Sequence, residues 1–199
     1  MNNMLRASTV AVTLLALVSL ASAQVARESL IRPSGLQASP RSGARVYVTA
    51  EGNKQGKFKG QSPMAKWQNA VPATSFTYQV TAPADSSTGL ASGKRVHSPV
   101  VVTMPAGAAS PQFFVAVTES EVLKSVTLQV VRTDANGSEE VFYTIRLTNA
   151  TASRFRQYTP APDPANPGGA GLLIEVSFAF QKIEIVSADG GTMGMDDWK

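Results

Sequence analysis

The amino-acid sequence predicts a mainly β domain: antiparallel strands arranged as a two-sheet barrel or sandwich, with one short flanking α-helix. Three observations carry this. Short segments in which apolar and polar residues alternate recur along the chain, the pattern of strands with one buried face. The chain carries 12 Pro and 15 Gly, and 16% of its 199 residues are charged, below the roughly 25% of an average soluble domain. An Asn-Gly pair at 136–137 sits between two alternating runs, and such a pair favours a tight hairpin because both residues tolerate positive φ.

The elements follow in chain order. Arg6 precedes the apolar run Val10–Val18, and Ala21-Ser22-Ala23 ends it. A basic start, a short apolar core and an A-x-A end predict a signal peptide over 1–23, cleaved after Ala23. An apolar core of about a dozen residues is short of the ~20 that span a bilayer, so no stable membrane insertion is expected. Residues 24–43, broken by Pro33, Gly35, Pro40 and Gly43, read as a flexible lead-in. The folded domain is expected over 44–187.

Arg45–Thr49 opens it as a strand, and a polar loop spans Glu51–Met64. Ser75–Thr81 is a second strand with Phe76, Tyr78 and Val80 on one face. After a Gly/Ser/Pro-rich loop at Ala82–Gly93, Val100–Thr103 is a third. Ser110 before Pro111 reads as an N-cap and first helical residue. It starts a helix over about Pro111–Thr118 whose stripe is Phe113, Phe114 and Val117. Ser125–Thr133 and Glu140–Thr148 form the hairpin around the turn Asp134–Gly137, and Ser153–Tyr158 follows as a strand. Pro160–Gly171 is a loop. Leu173–Val186 is a long strand whose apolar phase flips after Gln181, from Ile174, Val176, Phe178 and Phe180 to Ile183 and Ile185. The flip predicts a β-bulge near Gln181-Lys182, or burial of both faces there. Residues 188–199 are expected as a C-terminal tail docked by Trp198.

The chemistry in the chain is sparse. There is no Cys, which excludes disulfides, thiol catalysis and Cys-based zinc sites. The one His is His97; it adjoins Ser98, yet no G-x-S-x-G elbow is present. His97 therefore reads as a residue that opens a strand and caps local backbone. Asp196-Asp197 is the only paired acid near an end, on a poor platform for acid–base work. Glu119, Glu121, Glu139 and Glu140 read as solvated. Lys54, Lys57, Lys59 and Lys66, with Phe58 and Trp67, have the composition of an RNA or acidic-partner contact, and read as a solvated loop. Asn136-Gly-Ser and Asn149-Ala-Thr match glycosylation acceptors but read as turn residues. The formal charge of +4 is spread along the chain, so no nucleic acid is expected. No residue is assigned a catalytic, cofactor-binding or metal role, and no cofactor is expected. An exported β domain of this kind reads as a binding or assembly module.

From His97 onward several stretches, in order, resemble one family. They are His97-Ser98-Pro99-Val100-Val101-Val102-Thr103, Ala108–Phe114, Glu121–Thr127, Glu139–Thr151, Gln157-Tyr158-Thr159, Glu175–Ile185 and the ending Met195-Asp196-Asp197-Trp198. Together they cover about half the chain and resemble the haemolysin-coregulated protein (Hcp) family, the tube protein of the bacterial type VI secretion system. The resemblance implies a β-barrel protomer with a flanking helix, a homohexameric ring, and rings stacked into a tube whose lumen holds small effector proteins. It also implies spike and sheath components as partners, and no enzymatic activity. The ring would place hairpin Ser125–Thr148 and strand Leu173–Val186 as walls and edges. Tube proteins of the family are loaded in the cytoplasm without a cleavable leader, so the leader here points to an exported, periplasmic or secreted relative. The competing reading is an exported monomeric binding module of the same fold, using loops Glu51–Met64 and Ala82–Gly93 to hold a cell-surface or protein partner.

Overall fold

A computed structural model describes residues 43–134, 136–161 and 171–198. The expected signal peptide, nearly all of the expected lead-in, Ala135 of the hairpin turn, Lys199 and residues 162–170 of the Pro/Gly loop lie outside the described residues.

The strands are β1 (Arg45–Gly52), β2 (Gly56–Lys57), β3 (Val71–Ala73), β4 (Ser75–Thr77), β5 (Val80–Thr81), β6 (Val96–His97) and β7 (Val100–Pro105), followed by helix α1 (Ser110–Thr118). Then come β8 (Val122–Thr133), β9 (Glu139–Tyr158), β10 (Leu173–Ser187) and β11 (Thr192–Asp197). The main sheet runs β2-β1-β8-β9-β10-β7-β4, with β3 also on β1 and β11 also on β10. Every pairing is antiparallel, and β5 and β6 form a separate two-stranded arm. The two strands expected at 140–148 and 153–158 are one, β9, because no Pro or Gly interrupts 139–158.

The phase flip on β10 is real, but no bulge accompanies it at Gln181-Lys182. The β9–β10 ladder holds one register from Phe178↔Ala152 to Ser187↔Tyr143. Its register shift lies instead between Ser177 and Phe178, where Ser153 is the extra residue on β9. At Gln181 both parities are buried: Phe180 is 6% exposed and Ile183 3%.

The cause is a flip shared by three strands. Leu123, Ala150 and Phe180 form one buried cross-strand row, and Val126, Leu147 and Ile183 form the next. Between the rows each strand has two residues where strict alternation has one: Lys124-Ser125 on β8, Thr148-Asn149 on β9 and Gln181-Lys182 on β10. The register survives because all three strands turn in step. Asn149 adopts φ 49°, which asparagine tolerates better than most residues, and its side-chain amide donates to Gln181 Oε1 at 2.8 Å. On β1 the same line is met by a register shift between Glu51 and Gly52. Across it β10 changes partner, from β7 at 173–178 to β11 at 182–187. A bend of this kind folds a sheet into two packed halves, and side chains from both sides of the line share one core.

The segment 71–77 ties the ends of this sheet together. β3 pairs with Val46–Val48 of β1, β4 pairs with Val101–Thr103 of β7, and between them the Thr74 N–H donates to the Thr103 carbonyl at 2.8 Å. The strand expected over Ser75–Thr81 is accordingly split between the main sheet and the arm, with Tyr78 at the joint.

Helix α1 seals the core. Phe113 (1% exposed) meets Phe58 and Phe178 edge-on, with ring centroids 5.0 and 5.8 Å apart. Its buried helical neighbour is Ala116, with Val117 packed at the margin. Phe114, expected on the same stripe, is 53% exposed and rests against Phe155. A turn of 3.6 residues places 113, 116 and 117 on one face and rotates 114 off it. Ser110 is the first helical residue, not the cap; its Oγ accepts from the Gly107 N–H at 2.8 Å.

Replacing Phe113 with Ala is expected to cost about 3–5 kcal/mol through the cavity it leaves. Phe114→Ala is expected to cost no more than about 1 kcal/mol, since little of its surface is buried. Urea unfolding of both variants measures the difference.

Candidate assembly surface

Residues 188–199, expected as a docked tail, hold a turn and then β11. This strand pairs with β10 from Thr192↔Ser187 to Asp197↔Lys182 and has no partner on its other side among the described residues. The Trp198 N–H donates to the Gln181 carbonyl at 3.4 Å. By antiparallel alternation, Gly194 and Asp196 then point their backbone groups at β10, while Met193, Met195 and Asp197 present theirs outward. Met193 and Met195 are 67% and 60% exposed. An open edge carrying large apolar side chains is a site for another strand, and a hazard when left uncovered.

The opposite face of β11 is clamped. Asp196 forms a two-pronged ion pair with Arg95 and accepts from His97 Nε2 at 2.9 Å. A carboxylate only accepts, so Nε2 carries a proton, and Nδ1 is hydrogen-bonded to the Tyr78 hydroxyl at 2.6 Å. Trp198 lies 4.4 Å from the His97 ring and 5.0 Å from Phe180. Arg95, and then His97, hold the Asp196 carboxyl below the usual carboxylate range. Burial, and then the Asp196 charge, push the Tyr78 phenol up. Tyr78 and His97 stand at the root of the β5–β6 arm, so the last residues described fix where that arm leaves the main sheet.

This cluster unites an acid, an imidazole and a hydroxyl, and its bonds clasp β11 to the root of the arm. The hydroxyl is a phenol made harder to ionise, and the imidazole is enclosed by Trp198 and Phe180. Ser98 contributes a backbone bond to Gln79. Beside the clasp a concavity of about 340 Å³ is lined by Lys94, Arg95, Val96, His97 and Trp198. Asp197, on the other face of β11, opposes Lys182, so the two acids of the Asp196-Asp197 pair diverge. Among the described residues no group of three or more His, Asp or Glu is placed to hold a metal ion.

The expectation missed Glu121. It is 2% exposed and accepts from the Lys54 N–H, the Gln55 N–H and Gln55 Nε2 at 2.7, 2.9 and 2.7 Å. Burial opposes its charge, but the bonds from Gln55 and Lys54 outweigh burial and hold its carboxyl below the usual range. A Cβ at Gly52 would overlap this carboxylate, so glycine is required there by space. Glu139 likewise has a structural task, accepting from Trp67 Nε1 at 2.9 Å and pairing with Arg45.

The sequence profile described as "Type VI secretion system effector, Hcp" matches residues 47–186. The chain belongs to the Hcp family. Among its Hcp relatives, "Major exported protein" of Pseudomonas aeruginosa is 32% identical over 165 residues, which is 77% of this chain and 95% of that protein. A solved "Hcp protein" superposes with a TM-score of 0.73 at 26% identity, covering 79% of this chain and 99% of that one. "Secreted protein Hcp3" of Pseudomonas aeruginosa gives 0.64 at 28% identity, with the same shares. In this Hcp chain the Ser125–Thr148 hairpin and strand Leu173–Val186 are walls, as expected, but not edges. Each has neighbours on both sides, whereas β11 is paired on one side only among the described residues.

Two predictions test the site. Asp196→Asn, in a Trp67→Phe background that leaves Trp198 as sole reporter, is expected to raise acrylamide quenching of Trp198. Because the folded-state pKa of Asp196 is depressed, its stabilising contribution is present above the unfolded carboxylate pKa of about 4 and is lost as pH falls through the folded value. The acid-side rise in quenching should therefore vanish in the variant. Glu121→Ala is expected to destabilise the chain by about 1–3 kcal/mol for each buried donor left unpaired, read by urea unfolding.

Proposed function

We propose that this Hcp chain is a non-enzymatic structural protein whose copies close into a six-membered ring, and whose rings stack into a tube that carries small effector proteins. Spike and sheath components of the type VI apparatus are its further partners. A leader cleaved after Ala23 takes it out of the cytoplasm. The observation that carries the reading is the open edge of β11, with its unpaired backbone groups and exposed Met193 and Met195. A head-to-tail contact at such an edge, repeated with a rotation that closes, gives a finite ring and leaves no edge free. Family membership supplies the ring and tube as precedent, and the clasped state of His97 supports a role without catalysis.

Native mass spectrometry and negative-stain microscopy of the secreted chain test the ring. Six-copy species and annuli with an open centre are expected. The Met193→Lys, Met195→Lys double variant should shift the population to smaller species with an unchanged circular dichroism spectrum. A strictly monomeric chain at micromolar concentration would overturn the ring and favour the monomeric binding module. The intact mass of the secreted protein should begin at Gln24; a mass retaining residues 1–23 would refute the leader.

A further inference from the structure

The basic cluster at Lys54–Lys66 takes no part in the clasp, and the structure sorts its members. Lys54 pairs with Glu119 at 3.3 Å, and Lys66 donates to the Glu139 carbonyl at 2.7 Å. Lys57 and Lys59 are exposed and have no carboxylate partner among the described residues. Glu51, opposite Lys57 in the ladder, is held by Lys124 at 3.4 Å.

These two amines flank a notch. The outer edge of β1 takes two short partners, β3 at Val46–Val48 and β2 at Glu51–Gly52, and between them the Ala50 carbonyl accepts from the Phe58 N–H at 2.9 Å, which leaves a gap at Thr49. A concavity of about 360 Å³ occupies the gap, walled by Lys57, Lys59, Thr49, Asn69, Ser125 and Glu51 over Phe58, the Glu51 carboxylate being the one already paired with Lys124. A second, of about 220 Å³, shares Thr49 and Asn69 and continues past Gln129 to Lys66. Together they make an elongated groove with Lys57 and Lys59 at one end, Lys66 at the other, and hydroxyl and carboxamide groups between.

The aromatic residues of the cluster decide against nucleic acid. Binding of single strands relies on rings offered to the bases. Here Phe58 and Trp67 are 5% and 7% exposed, and Trp67 is stacked on Tyr47 at 4.6 Å with the rings 4° from parallel. What the groove offers is positive charge for carboxylates, and side-chain donors and acceptors for a peptide backbone. We propose that this groove binds an extended acidic peptide segment of a partner protein, with Lys57 and Lys59 as its charge-reading residues.

Fluorescence anisotropy with the full chain and a short labelled Glu/Ser peptide tests this, with a Lys/Ser peptide of equal length as control. The Glu/Ser peptide is expected to bind saturably and to weaken at least about fivefold when salt rises from about 50 to about 300 mM, because the charges are exposed. The Lys/Ser peptide should not bind. Lys57→Glu with Lys59→Glu should abolish binding with an unchanged circular dichroism spectrum. Absence of saturable binding, or binding retained by the charge-reversed variant, overturns the inference. So does a single-stranded oligonucleotide that binds more tightly through the same two lysines. The measurement is made in whatever assembly state the chain adopts, so its failure is separate from failure of the ring.

Discussion

The whole architecture depends on three strands changing their inward face at the same row. A single strand that flips its phase loses register or exposes its core side chains. Lys124, Asn149 and Gln181 avoid both outcomes by flipping together, and Asn149 accepts the left-handed backbone that the bend requires. Everything downstream follows from this corner. It lets one antiparallel sheet wrap a single core, and it places the row where β10 exchanges β7 for β11. It also sets the Gln181 carbonyl where the Trp198 amide meets it.

The corner also explains why the clasp and an open edge meet at β11. The strand exists only because β10 continues beyond the bend with one side unpaired. One face of β11 is then spent on the clasp, through Asp196, while the outward backbone groups remain unused. Rigidity on one side and an open edge on the other is what an assembly element requires: a floppy edge would pay an ordering cost on docking. The clasp couples this edge to the root of the β5–β6 arm, so the two projecting features of the chain share one support.

Much of the fold was legible because it is written in local alternation. The β8–β9 hairpin, β7, the helix and the long β10 all follow from apolar periodicity and from Asn136-Gly137. The phase change of β10 was visible, but its meaning was not, since a lone strand cannot reveal that its two neighbours flip beside it. Strand β11 was invisible because Gly194 and the acids at 196 and 197 give no alternating pattern; it forms through pairing with β10. The His97 clasp escaped for a similar reason: its partners Tyr78 and Asp196 lie far away in sequence. Glu121 was misread because burial of a carboxylate depends on amide donors supplied by a distant loop, and no residue near it in the chain announces them.

The pairing of β1 with β8 has a kinetic consequence. Arg45 opposes Val131, so the first strand to leave the ribosome has only the short partners β2 and β3 until most of the polypeptide has been made. Topologies dominated by such distant pairings fold over milliseconds to seconds instead of microseconds. A nascent copy therefore keeps β1 on short partners for a time, before the long strands wrap the core.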